Sequence, residues 1–328
     1  MAFKDIEGNE RAKRILKLAL ERERLPNSLL FAGPEGVGKR RTALTLAKAL
    51  NCLRMTADSC DACDACRAID DGRFPDVMEI AAPAKEITIE QVRFLKQMAT
   101  LRPLAGKRRV FILVDAENVN PASANSLLKV LEEPPPRSHI ILLTASPFLL
   151  LPTIRSRCRT LSFAAMASEE LERILRDREF REDQARILAL LAGGSLRRAL
   201  ELDWNEVQER KERAWVLFEA LLSGDRASLF LDAFGTLSKS ALEEFRETLE
   251  LFSSFARDLL LLGLGGDARL LLNPDLEDRL RASGRSSAPR LLAALAEFDL
   301  VLAELPKNLN KNLLAAALFS NLGEIRNA

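Results

Sequence analysis

Residues 28–50 read SLLFAGPEGVGKRRTALTLAKAL, and this stretch decides the fold of the N-terminal half. A short apolar run is typical of a buried strand, and the periodic segment after the glycines is typical of a helix. The turn between them fits the phosphate-loop pattern Gly-x4-Gly-Lys-Ser/Thr at Gly33, Gly38 and Lys39. Arg40 stands where the pattern requires a hydroxyl side chain. We therefore expect a strand, a phosphate-type loop and a helix, with one defect.

The defect concerns the metal that accompanies ATP. In a complete loop, backbone N–H groups and the lysine hold the phosphates, while the Ser/Thr hydroxyl ligates Mg²⁺. A guanidinium has no acceptor and cannot ligate a cation, and Thr42 lies two positions too late. The pattern thus favours ATP binding over Mg²⁺-dependent hydrolysis, and a glycine-rich turn without a ligand stays an alternative. The candidate loop residues are Gly33, Gly36, Gly38 and Lys39.

A second nucleotide signal follows the strand VFILVDAEN. Asp115, at its end, is placed to hold Mg²⁺ through water. Hydrolytic relatives of such folds put glutamate directly after this aspartate, whereas here Ala116 follows and Glu117 comes one position later. If extended geometry continues, the Glu117 side chain points to the opposite face. The alternative is that Asp115 only ends a strand.

The first half of the chain alternates apolar runs with helical patterns. Such alternation predicts an α/β fold in which helices cover both faces of one parallel sheet. One helix should begin at Pro121 and stop before Pro134. The predicted strands are residues 28–33, 77–82, 108–116, 139–146 and 158–163.

Strand patterns end after Phe163, and helical patterns fill the remaining sequence. We predict a P-loop-type α/β domain over 1–165, a small helical lid domain over 166–205 and a helical oligomerisation (collar) domain over 206–328. A four-cysteine module over about 51–70 interrupts the first domain.

Four of the five cysteines cluster, at Cys52, Cys60, Cys63 and Cys66. Four thiolates suit a closed, structural zinc site. An iron–sulfur cluster is the alternative, but the following residues lack the further cysteine and proline of a ferredoxin pattern. Cys158 and the single histidine, His139, are expected to be packed side chains.

Composition limits the function classes. Lys plus Arg total 48 against 47 Asp plus Glu, so nothing in the overall charge indicates a polyanionic partner. The longest apolar runs fall short of a membrane span, which predicts a cytoplasmic protein without membrane contact. Tyrosine is absent, and no basic–aromatic interleaving typical of nucleic-acid stacking appears.

Four motifs occur together in order: GPEGVGKR, the cysteine insertion, NSLLKVLEEPP and TIRSRCR. Together they resemble the clamp-loader subunits of bacterial DNA polymerase III, a branch of the AAA+ proteins. The resemblance covers about residues 1–200 and extends more weakly through the terminal LNKNLLAAALFSNL. The two nucleotide-site defects are similar to the delta-prime branch and unlike the hydrolysing gamma/tau motor branch.

The resemblance implies a function. Arg157, in the triplet Ser156-Arg157-Cys158, would complete ATP bound on a neighbouring motor subunit as an arginine finger. The chain would join a hetero-oligomeric ring with gamma/tau and delta subunits, and the ring would load a sliding clamp onto primed DNA. Two alternatives stay open: an active clamp-loader ATPase that uses Glu117, and a zinc-containing nucleic-acid binding module.

The resemblance implies further site residues. Arg197 matches a nucleotide-sensing arginine of the lid, and Thr144 or Ser146 matches a polar sensor at a strand end. Gly8 and Asn9 fall where the family contacts adenine. Independently of the resemblance, Glu132 and Glu133 end a helix whose dipole disfavours negative charge by about 0.3–1 kcal/mol, which indicates either a partner contact or a solvent-screened end.

Overall fold

The computed structural model describes residues 1–83, 86–222, 235, 241–283, 287–305 and 310–327. The chain divides into two compact units. The first comprises Met1–Ile174 with Ala192–Leu200, and the second comprises Leu175–Leu191 with Glu201–Ala328. The predicted division into three domains stays a prediction. In the described part of the chain, no helix is both long and apolar enough to cross a membrane.

The first unit contains five strands: β1 Ser28–Ala32, β2 Val77–Ile80, β3 Arg109–Leu113, β4 Ser138–Thr144 and β5 Arg159–Ser162. Its helices of two turns or more are Glu10–Glu21, Lys39–Asn51, Ile89–Thr100 and Pro121–Glu132, and shorter ones are Asp64–Asp70, Pro152–Arg155 and Leu196–Glu201. Helix Ser168–Arg176 begins in the first unit and ends in the second, and the last residue of helix Leu196–Glu201 also belongs to the second.

All five strands pair in parallel, in the order β2-β3-β4-β1-β5. The register places Ala32 of β1 beside both Thr144 of β4 and Ser162 of β5. The α/β sheet predicted from the apolar runs is confirmed, with each strand within a few residues of its predicted bounds. The predicted helix after Pro121 is also confirmed, and the Asn120 side chain caps it by accepting from the Ser123 amide at 2.8 Å.

Two apolar cores cover the two faces of this sheet. Leu29 and Phe31 of β1 pack with the helices Glu10–Glu21 and Lys39–Asn51, whereas Leu30 packs with the helices Ile89–Thr100 and Pro121–Glu132. Successive residues of a strand point to opposite faces, so an unbroken apolar strand needs a helical layer on each side. This double covering explains why the central strands β1, β3 and β4 read as largely apolar runs.

The described residues of the second unit contain helices and no strand. A core of phenylalanines, including Phe218, Phe245, Phe252, Phe255 and Phe298, lies between long helices. The helices are Glu182–Leu191, Trp204–Leu222, Leu242–Gly263, Glu277–Ala282, Ala288–Glu304 and Lys311–Asn327. The helical C-terminal part expected from the sequence is thus present.

Candidate functional site

The loop after β1 is a backbone cradle that only glycine can form. Gly33, Gly36 and Gly38 have φ angles of 155°, 72° and 95°. A Cβ atom on Gly33 would lie 2.0 Å from the carbonyl oxygen of Phe163. The loop leads into helix Lys39–Asn51, whose N-terminal N–H groups and dipole favour an anion. The predicted strand, loop and helix are therefore present in the order that phosphate binding requires.

The Lys39 side chain folds back onto its own loop. Its ammonium group donates to the carbonyl oxygen of Gly33 and to that of Pro34, the latter at 2.6 Å. These carbonyls hold the positive charge that would otherwise reach a phosphate. Anion binding at the loop must therefore replace two hydrogen bonds that the chain makes with itself.

The backbone turns sharply after β3, which ends at Leu113. Asp115 has a φ of 51°, in the left-handed region, so extended geometry does not continue beyond it. Glu117 accepts a hydrogen bond from the Ala145 amide at 3.0 Å, and its second carboxylate oxygen is buried without a partner in the described structure. The condition under which Glu117 would point to the opposite face is therefore not met, and its carboxylate lies close enough to Lys39 for its charge to act on that residue.

Lys39 is surrounded by carboxylates, and burial and charge act on the pKa values of this group in opposite directions. Burial lowers the pKa of Lys39, and the carboxylates of Glu117, Glu35 and Asp115 offset that effect only partly. Burial, followed by the charges of Glu117 and Glu35, raises the pKa of Asp115. Three carboxylates around one lysine therefore oppose the binding of a bare phosphate.

Arg40, which stands where a complete loop has its metal ligand, forms an ion pair with Glu79 that the sequence did not indicate. Its Nε donates to Glu79 Oε2 at 2.5 Å and its Nη2 to Glu79 Oε1 at 3.0 Å. The hydrogen bonds to Glu79 outweigh burial and raise the pKa of Arg40. Such a two-point fork fixes the direction of the guanidinium plane. The position that carries a hydroxyl in complete loops therefore carries a fixed positive charge paired with β2.

The other predicted nucleotide residues converge on the same loop. Thr144 ends β4, is fully buried and accepts from the Ser146 amide at 3.0 Å. Arg197 is the second residue of helix Leu196–Glu201, which follows Ser195 directly. A Cβ on Gly36 would lie 1.8 Å from Ser195 Oγ and 3.7 Å from the Cβ of Arg197. The tip of the loop thus packs directly against the start of helix Leu196–Glu201.

Asn9 connects the N-terminal segment to this loop. Its side-chain amide donates to the Val37 carbonyl oxygen at 3.0 Å, and its oxygen accepts from the Ala164 amide at 2.8 Å. Gly8 precedes it with a φ of 70°, and Asn9 itself has a φ of 52°. The two residues expected beside adenine therefore lie at the rim of the loop.

Arg157 lies outside this cluster. Its Nε donates to Glu132 Oε1 at 2.6 Å, and its Nη1 donates to the Thr153 carbonyl oxygen at 2.9 Å. One third of the side chain is exposed, whereas the following Cys158 is buried, which raises the pKa of its thiol to about 12. The arginine is therefore presented at the surface, while Cys158 anchors the turn in the core.

The four clustered cysteines bring their sulfur atoms within 4.8 Å of one another. A tetrahedral zinc with Zn–S bonds of about 2.3 Å separates its sulfurs by about 3.8 Å, so the donor set fits a metal ion. Backbone amides of Met55 and Cys63 donate to the sulfurs of Cys52 and Cys60, each at 3.3 Å. These bonds stabilise the negative charge that metal-bound thiolates carry. The cluster can bind a metal ion.

The module that carries the cysteines is joined to the loop helix by a buried lysine. Lys48 is 1% exposed and pairs with Asp61 at 2.6 Å and with Asp70 at 3.0 Å. Burial would lower the pKa of Lys48, but these carboxylates outweigh it and raise that pKa. A buried ammonium needs such partners, so the helix and the module stabilise each other.

The chain was compared with families of known proteins and with individual relatives. Residues 8–167 match the family described as "DNA polymerase III, delta subunit". The chain is 29% identical to the DNA polymerase III subunit delta' of Bacillus subtilis, over 98% of both chains. This chain is a DNA polymerase III delta-prime homologue. The resemblance inferred from its motifs is confirmed, since the likeness to that clamp-loader subunit extends over nearly the whole sequence.

The tau-subunit relatives match a delta-prime homologue such as this one only in part. The tau subunit of Escherichia coli is 38% identical over 61% of this chain but over only 32% of its own length, and the Bacillus subtilis tau subunit is 31% identical over 46% of its length. The chain thus spans less than half of these longer relatives. A gamma-subunit-related protein of Thermotoga maritima matches with 20% identity over 96% of this chain and 99% of its own, at a TM-score of 0.43.

The structure gathers the loop glycines, Lys39, Asp115, Glu117, Thr144 and Arg197 at one edge of the sheet in this delta-prime homologue, and it leaves Arg157 and the cysteines elsewhere. Sequence reasoning missed two contributors, Glu79 and Ser195. No local pattern marks either residue. Their roles come from contacts between distant segments.

Proposed function

We propose that this chain is a non-hydrolysing, delta-prime-type subunit of a DNA polymerase III clamp loader. The observation that carries the proposal is Arg40, which replaces the hydroxyl ligand of Mg²⁺ and is fixed by Glu79. A guanidinium offers only donors, so the loop lacks the side chain that holds the metal during phosphoryl transfer. Lys39 also donates to its own loop, which supports the same conclusion.

In this proposal Arg157 acts in trans on ATP bound to a neighbouring gamma/tau motor subunit. Its exposure at a turn anchored by Cys158 supports that role, because a finger must reach outside its own chain. An arginine finger neutralises the charge that develops in the transition state and contributes about 10³- to 10⁵-fold in rate. The ring would also contain a delta subunit, and it would place a sliding clamp on primed DNA.

The test combines the isolated chain and the assembled loader. The isolated chain with Mg²⁺ and ATP should show no turnover beyond that of Lys39→Ala, which measures contamination. In the assembled loader, Arg157→Ala should reduce turnover at the site it completes by about 10³-fold or more. Arg159→Ala is the matched control, because Arg159 is exposed on edge strand β5 two residues away. Equal loss in both variants, or none in Arg157→Ala, would refute the finger.

A specific observation favours the second candidate, an active ATPase. Glu117 lies close enough to Lys39 to influence its pKa, and one oxygen of Glu117 has no partner in the described structure. A glutamate placed there could orient water. Turnover by the isolated chain that Lys39→Ala and Glu117→Gln both abolish would establish this alternative and end the non-hydrolysing proposal.

We propose in addition that the cysteine cluster holds one structural zinc. Four sulfurs leave no open position for catalysis, so the metal would stabilise the module and perform no reaction step. Metal analysis should find about one zinc per chain, and Cys63→Ser should lose it. Cys158→Ser, which changes a buried thiol outside the cluster, should retain it. Iron or no metal in freshly purified chain would contradict the assignment.

A further inference from the structure

The contact between Arg157 and Glu132 joins two segments that the sequence keeps 25 residues apart. Nε of the guanidinium donates to Glu132 Oε1 at 2.6 Å, and Nη2 lies in ion-pair contact with the same oxygen. Nη1 donates to the Thr153 carbonyl oxygen at 2.9 Å and to Ser156 Oγ at 3.4 Å. The guanidinium therefore makes three hydrogen bonds with groups of its own chain.

We propose that Glu132 is a positioning residue that restrains Arg157 until a phosphate group on the neighbouring subunit displaces it. The inference rests on the proposed function, because it assumes that Arg157 acts in trans. Among the partners of Arg157, Thr153 and Ser156 contribute neutral oxygens, whereas Glu132 contributes a full negative charge. Glu132 is thus the group that competes with a phosphate for the same donors.

The geometry makes this restraint reversible. One hydrogen bond and one ion-pair contact meet at a single carboxylate oxygen, so the pair lacks the parallel two-oxygen fork that gives Arg–carboxylate contacts their greatest strength. Arg157 is 33% exposed and Glu132 is 46% exposed, so water screens the attraction. Exposed pairs of this kind change an equilibrium by only about 1.4- to 5-fold. A polyphosphate can therefore replace the carboxylate.

The position of Glu132 explains why the pair forms at all. Glu132 is the last residue of helix Pro121–Glu132, where the dipole disfavours a carboxylate. The guanidinium compensates both the helix end and the carboxylate. When Arg157 moves to a phosphate, the Glu132 carboxylate loses its partner at the helix end. Breaking this pair therefore adds a small, fixed free-energy cost to the binding of Arg157 to the phosphate.

The test uses the complete clamp loader assembled from this chain and its partner subunits, with assembly checked by gel filtration. Glu132→Gln keeps the shape of the side chain and removes its charge. We expect kcat/KM for ATP to rise by about 1.4- to 5-fold, because the restraint on Arg157 is lost. Glu133→Gln is the matched control: it makes the same change one residue along and should leave kcat/KM unchanged. In an Arg157→Ala background, Glu132→Gln should have no effect.

The outcomes separate the two proposals. If Arg157→Ala leaves turnover unchanged, the finger and the restraint both fail. If Arg157→Ala slows turnover but Glu132→Gln matches Glu133→Gln, only the restraint fails. A fall in kcat/KM for Glu132→Gln would also overturn it, because a purely structural contact lowers activity when it is removed. An increase that persists in the Arg157→Ala background would show that Glu132 acts through another group.

Discussion

Asp76 is the residue whose loss we expect to weaken the first unit most. The fully buried carboxylate accepts backbone hydrogen bonds from residues 104–106 at 2.7–2.8 Å. It also accepts from Arg109 Nε and Nη2, at 3.1 and 2.8 Å. Burial alone would raise the pKa of Asp76, but these donors outweigh it and hold that pKa below its usual range. One carboxylate therefore joins the start of β2, the loop before β3 and the first residue of β3.

Asp76→Asn keeps the shape, removes the charge and replaces one acceptor oxygen with a donor. Arg109, 3% exposed, then carries a buried charge without its counterion. Breaking such a pair from one side costs about 3–5 kcal/mol, and each amide left without an acceptor adds to the cost. We expect the free energy of unfolding of the first unit to fall by about 4 kcal/mol. Asp71→Asn, which breaks a surface pair with Arg73, should cost less than about 1 kcal/mol.

The assay must observe the first unit. Both tryptophans, Trp204 and Trp215, lie in the second unit, so their fluorescence reports on the wrong part of the chain. Amide hydrogen exchange at residues 104–106, measured at increasing urea concentration, reports on the first. A loss below about 1 kcal/mol, with protection at 104–106 retained, would refute the reasoning that this buried carboxylate organises the edge of the sheet.

Three further predictions test other parts of the chain. Burial and the nearby Arg108 charge lower the pKa of His139 to about 4, although its hydrogen bond with the Pro26 carbonyl opposes this. The unfolded histidine binds its proton from about pH 6.5 downward, so the free energy of unfolding should fall by up to about 3 kcal/mol between pH 6.5 and 4. Urea titrations of His139→Gln should lack that loss. Gly36→Ala should destabilise the first unit by at least about 1 kcal/mol, because Gly36 has a φ of 72° and the added Cβ would clash with Ser195 Oγ. Adding Ser195→Ala should restore part of the lost stability in thermal melts, and the absence of any rescue would contradict the contact. Arg40→Thr should lower the free energy of unfolding by less than about 1 kcal/mol and should make ATP binding depend on Mg²⁺, still without turnover. Calorimetry with and without a chelator measures this dependence, and if it is unchanged, Arg40 is not the group that excludes the cation.

The central strands β1, β3 and β4 could be predicted because they are buried throughout and therefore read as largely apolar runs, whereas the edge strands β2 and β5 also carry polar residues. Their order in the sheet could not, because it depends on pairings between segments far apart, such as β1 with β4. The phosphate loop was visible because its glycines and lysine have fixed spacing.

The side-chain geometry of the candidate site was less predictable. The turn at Asp115 places a non-glycine residue at a φ of 51°, which no local pattern signals, and the direction of Glu117 depends on it. The pairs Arg40–Glu79 and Arg157–Glu132 join residues 39 and 25 positions apart. Ion pairs between residues that only the tertiary fold brings together produce no periodic pattern in the sequence.

The pairing of Lys48 with Asp61 and Asp70 has a consequence for biosynthesis. Helix Lys39–Asn51 leaves the ribosome before the cysteine module, so its lysine has no counterions when the helix first forms. Burial of that ammonium must wait until the module has closed, and closure of a four-thiolate module is favoured by metal. With the metal proposed above, maturation of the loop helix would be coupled to metal supply, and metal scarcity during synthesis would reduce the yield of native protein.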